Sequence, residues 1–98
     1  MELQTTTFVK QTKRNLRVWI EGSKVKKAGF NWHTRYTRTI ENGVITLQVD
    51  PNGELKTAGR ERNGKEVPII DISMATLEGF TAGQQVTATY TLNKIIIK

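Results

Sequence analysis

Displaced by fifty positions, the chain matches itself. Residues 17–48 fall on residues 67–98 without a gap, and seven of the 32 pairs are identical. These are Ile20/Ile70, Ser23/Ser73, Gly29/Gly79, Phe30/Phe80, Thr37/Thr87, Thr39/Thr89 and Ile45/Ile95. Ordinary residue usage gives about two by chance. Trp19/Ile69, Glu21/Asp71, Tyr36/Val86, Ile40/Tyr90 and Leu47/Ile97 add close substitutions. Such a repeat constrains the fold strongly, because a unit too small to bury its own apolar face must find cover in its copy.

Each copy opens on an apolar stretch that reads as a strand, Arg17–Ile20 or Val67–Ile72. Ser23 and Ser73 then offer a hydroxyl that can accept a backbone N–H as a helix N-cap. Gly29 and Gly79 supply the left-handed residue that closes a helix. The spacing predicts about one and a half helical turns in each copy, KVKKA in the first and MATLE in the second. Phe30 and Phe80 follow the stop and are expected to pack inward, and Trp19, matched to Ile69, is expected in the core. Tyr36–Ile40 and Val86–Tyr90 alternate, so residues 36, 38 and 40 share one face and the threonines the other. Glu41-Asn42-Gly43 and Leu92-Asn93-Lys94 read as hairpin turns into Val44–Val49 and Ile95–Ile97.

The unit is therefore strand, short helix, hairpin. An isolated hairpin is at best marginally stable in water. Two units packed about an approximate twofold axis bury each other's apolar faces, which predicts a small, closed or nearly closed barrel within one chain. A homodimer of a single unit would be its equivalent. Residues 50–66 form a basic, glycine-containing connector and read as a flexible loop or a hairpin tip. Residues 10–17 read as a basic arm or as a solvated link after an opening strand, Leu3–Val9.

Composition excludes several function classes. At 98 residues and 11.1 kDa the chain has room for one domain. With no cysteine it has no disulfide, thiolate metal site or cysteine nucleophile. No apolar run approaches the roughly 20 residues of a membrane span, and the first residues lack a signal peptide's apolar stretch. A small soluble cytoplasmic protein without a membrane partner is expected. The single histidine, His33, makes a zinc site improbable. No metal, no cofactor, no catalytic residues and no enzymatic activity are expected.

Charge is the functional signal. The net charge is +6, and all of the surplus lies in residues 1–49. Such asymmetry fits a polyanionic partner. Lys24, Lys26 and Lys27 lie near the start of the first predicted helix, where the dipole disfavours cations, and their counterparts are Met74, Thr76 and Leu77. A docked phosphate would resolve that conflict. Arg38, opposite Ala88 in the repeat, should face inward and snorkel to the rim, or emerge beside Arg35. Arg60, Arg62 and Lys65, between Gly59 and Gly64, can contact phosphates. Trp32 can stack on a base or plug the end of the fold.

The first copy resembles a known family. Arg17–Tyr36 followed by Glu41-Asn42-Gly43 is similar to the SymE-type toxins of the AbrB/MazE swapped-hairpin superfamily. Gly22, Ala28, Gly29, Phe30, Thr34, Arg35 and Gly43 stand at that pattern's positions. His33 stands where glycine is usual, a glycine that the second copy keeps as Gly83. The resemblance implies a mainly β swapped-hairpin barrel that binds nucleic acid, DNA more than RNA, as a regulator or toxin–antitoxin factor. Here it would be a pseudo-dimeric monomer or a homodimer. The rival expectation is a small protein-binding module or inhibitor from a mobile element, with the Trp32 loop and a strand edge as its interface. A third, a weak ribonuclease, would need His33 near Arg35 or Arg38.

Overall fold

A computed structural model describes residues 2–98. The chain runs β1 (Leu3–Phe8), β2 (Lys10–Gln11), β3 (Leu16–Glu21), α1 (Ser23–Lys27), β4 (Arg35–Glu41) and β5 (Val44–Val49). It continues as β6 (Leu55–Lys56), β7 (Ala58–Arg62), β8 (Lys65–Met74), β9 (Gln85–Thr91) and β10 (Lys94–Ile97). The fold is mainly β, in two sheets. Six strands pair in the order β1-β9-β10-β5-β4-β6, and four in the order β2-β3-β8-β7.

Alternation decides which side chains meet between the sheets. Tyr36, Ile45, Leu47, Val86, Ala88, Tyr90, Ile95 and Ile97 come from the larger sheet, and Val18, Ile20, Ile70 and Ile72 from the smaller. Phe30 and Phe80 are both buried, as their place after the two glycines predicts. Phe30 meets Tyr36 edge-on, ring centroids 5.6 Å apart.

Both sheets have free edges, so the closed barrel expected from the repeat is not formed. The chain passes twice from an edge of the large sheet to an edge of the small one, at the buried corners Val9 and Thr57. Each corner is held by two backbone bonds. Val9 N–H donates to Gln84 O (2.8 Å) and Val9 O accepts from Gly83 N–H (2.7 Å); Thr57 N–H donates to Thr34 O and Thr57 O accepts from His33 N–H (both 2.9 Å).

Other bonds also recur fifty residues on. Gly43 N–H donates to Glu78 O (3.2 Å) and Asn93 N–H to Ala28 O (2.7 Å), so each hairpin tip sits on the glycine turn of the other half. A Cβ on Gly79 would strike the Gly43 backbone, and one on Gly29 would lie 2.7 Å from Asn93 Oδ1. The left-handed residues fall in register as well: Gly29/Gly79, His33/Gly83 and Gly43/Asn93.

The structure corrects some local expectations and decides between others. The second helix is absent, because β8 continues through Ser73 and Met74, paired with Arg17 and Leu16. Five residues cannot repay helix nucleation against that ladder. Ser73 is thus no cap; its hydroxyl accepts from Asn15 Nδ2 (3.0 Å). At α1 the N-cap is Gly22, and Ser23 is the first helical residue. Of the two readings of the connector the hairpin tip holds: it forms β6 and β7, and a tight turn into β8 with Asn63 and Gly64 both at positive φ. Nor are residues 10–17 a free arm, since Lys10 and Gln11 pair with Arg17 and Leu16 around a turn closed by Thr12 and Asn15.

Candidate nucleic-acid interface

The outer face of the four-stranded sheet is set by strand register. Residues directly opposite share a face, so Lys10, Arg17, Trp19, Glu21, Asp71, Arg60, Arg62 and Lys65 lie on one side. On the other side of these strands lie the buried Val18, Ile20, Ile70 and Ile72. The connector's two acids near the turn, Glu61 and Glu66, pair with each other in register and occupy the side opposite to Arg62 and Lys65.

Two acidic side chains on the outer face each hold an arginine. Arg17 makes a bidentate pair with Asp71, Nε–Oδ1 2.8 Å and Nη2–Oδ2 3.0 Å, and this hydrogen bond raises the guanidinium's pKa further. Arg60 pairs with Glu21 at 3.1 Å. These are the two ion pairs among the described residues, although the chain has fifteen lysines and arginines. On this face Lys10, Arg62 and Lys65 are therefore left without an acidic partner. Such exposed pairs contribute little to the stability of the fold. Their larger effect here is to cancel the negative charges of the face.

Helix α1 follows directly on β3, whose last residue is Glu21 of this face. Lys24, Lys26 and Lys27 are exposed, while Val25 anchors the helix in the core. Lys26 and Lys65 line one hollow of about 470 Å³, with Gly22, Ser23, Glu66 and Pro68 also in its wall. Residues 39 positions apart in sequence thus line one space.

The other candidates are placed differently. Arg60 is paired with Glu21. Arg35 is exposed and donates from Nη1 to Gly53 O (3.1 Å), which fastens the loop after β5. Arg38 points to the opposite side of β4, half-buried, with Nη2 3.7 Å from Met74 Sδ. It snorkels at the rim of a groove shared with Tyr36 and Leu55, and it does not join Arg35. Burial raises the pKa of Tyr36, and the Arg38 charge opposes that shift.

Trp32 packs on the backbone of β7. Its ring lies against Gly59, where an added Cβ would come within 2.5 Å of Cγ, and His33 stacks on it at 5.2 Å. The ring is thus packed on the protein. Trp19, expected in the core, is on the outer face instead. The Arg17 guanidinium lies 4.5 Å from its ring centroid. Its neighbours Val18 and Ile20 are the inward residues, and that two-residue period was the signal available in the sequence.

No group of three or more metal-ligating side chains occurs among the described residues. No helix among them is long and apolar enough to cross a membrane. No protein-family model, curated protein or solved structure matches the chain.

Proposed function

We propose that this chain is a nucleic-acid-binding protein that grips the phosphates of double-stranded DNA. In this reading it is two fused copies of one strand–helix–hairpin unit in a swapped-hairpin arrangement, acting as a regulator or toxin–antitoxin-like factor. The observation that carries the binding proposal is the charge pattern of the outer sheet face. Its acids are taken up by Arg17 and Arg60, and Lys10, Arg62 and Lys65 remain, continued by Lys24, Lys26 and Lys27. Unpaired cations spread over an ordered surface suit a phosphate backbone, which fixes position without reading sequence. The fusion is supported by the backbone bonds and left-handed residues that recur fifty positions apart.

The test is duplex DNA titrated at low salt against the wild type and the Lys24/Lys26/Lys27→Ala variant. The triple variant should bind at least tenfold more weakly with an unaltered thermal melt, since these side chains are exposed. Equal affinity would remove α1 from the interface. A preparation that binds no DNA and retains one protein partner would favour the rival module.

A further inference from the structure

We propose that the hollow between Lys10, Arg17 and Trp19 is a stacking site for one unpaired nucleobase. This rests on the nucleic-acid reading above and deepens it, because it names which form of nucleic acid the surface distinguishes. The hollow holds about 260 Å³ and is lined by two cations and an aromatic ring. Three features of the site converge on a flat aromatic ligand bearing a negative charge.

The first is the position of Trp19. A large aromatic on the solvent side of a strand, between inward-facing Val18 and Ile20, adds little to the interior and leaves part of its ring open. The second is rigidity. Arg17 is stacked on the indole and fixed by two hydrogen bonds to Asp71, so the planar pair is ordered before any ligand arrives. A base stacked there costs little side-chain freedom. The third is charge. Lys10 lies directly across from Arg17 and has no acidic partner among the described residues, so it can take the phosphate next to the base.

A base within a duplex has both faces covered by its neighbours and cannot use this hollow. A single strand, a frayed end or an extruded base can. Lys65 lies six residues along β8 from Asp71, the residue opposite Trp19. At the usual strand rise this is a path of about 20 Å along one sheet face. A bound strand could thus reach from the stacking site to the hairpin lysine.

The experiment measures binding of labelled oligothymidine and of a duplex of equal length, by fluorescence anisotropy at low salt. The proteins are wild type, Trp19→Ala and Trp19→Phe. Loss of one base–aromatic stack should weaken single-strand binding about tenfold in Trp19→Ala. Trp19→Phe keeps a ring and should recover most of it. Duplex affinity and the thermal melt should be the same in all three. Single-strand affinity unchanged in Trp19→Ala would overturn the stacking site, and duplex binding in the same assay would leave the phosphate reading standing. Absence of binding to either probe by the wild type would remove both. Equal losses for duplex and single strand, or a collapsed melt recovered by Trp19→Phe, would assign Trp19 a structural role and overturn the proposal.

Discussion

Gly79 and Gly64 share a left-handed backbone, at φ +81 and +76, but not an environment. At Gly64 a side chain meets open space, and only the conformational cost of about 1 kcal/mol applies. At Gly79 the same Cβ enters the backbone of the Gly43 turn, so overpacking adds to it. Denaturant melts should therefore show Gly79→Ala destabilised by about 3 kcal/mol and Gly64→Ala by about 1 kcal/mol. His33 is the converse case: a histidine at φ 77 where the corresponding Gly83 is at 84. His33→Gly relieves that strain at some entropic cost and should stabilise by about 0.5 kcal/mol. Burial pushes the Tyr90 phenol up to about 12 from 10.0, and moves Tyr36 in the same direction. The unfolded chain ionises first, so stability is full below about pH 10 and falls as pH approaches about 12. In Tyr90→Phe the alkaline loss should begin at the same pH, where unfolded Tyr36 ionises, but be smaller, as read by unfolding curves across that window.

Elements whose reasons are local could be read directly from the sequence. The alternation of β4 and β9, the Asn-Gly turn after β4 and the short lysine helix all appear where the pattern placed them. The second helix failed for a non-local reason, since the residues that hold Ser73 and Met74 extended are Arg17 and Leu16 on β3. The strands β1, β2, β6 and β7 escaped repeat detection because the correspondence there survives in backbone bonds, at Val9 and Thr57, with little identity of side chains. Of the candidate site, Lys24, Lys26, Lys27, Arg62 and Lys65 were legible as charge, but the neutralised acids were not. Recognising them requires knowing that Glu21 stands beside Arg60 and Asp71 beside Arg17. This sorting predicts a contrast within β7 and its turn. Removing that pair whole, Arg60→Gln with Glu21→Gln, should change duplex affinity less than twofold, whereas Arg62→Gln with Lys65→Gln should weaken it severalfold, with anisotropy titrations as the readout.

For the molecule as a whole, the two halves complete each other. Each hairpin tip rests on the other half's glycine turn, and the interior draws on both. Fragments 1–51 and 52–98, cut between the exposed Pro51 and Asn52 of the turn after β5, should each lack stable strand structure alone and regain the far-ultraviolet spectrum when mixed. A first fragment that folds unaided would refute that dependence. The functional claim for the whole molecule is that its cations act together on a phosphate backbone. Contact with 4–6 phosphates, about the number the unpaired cations of this surface can reach, releases counterions in proportion. The most direct measurement is the affinity of the wild type for duplex DNA across a range of salt concentrations. A log–log slope of roughly −4 to −5 is predicted; a slope near zero, or no binding at the lowest salt, would contradict it.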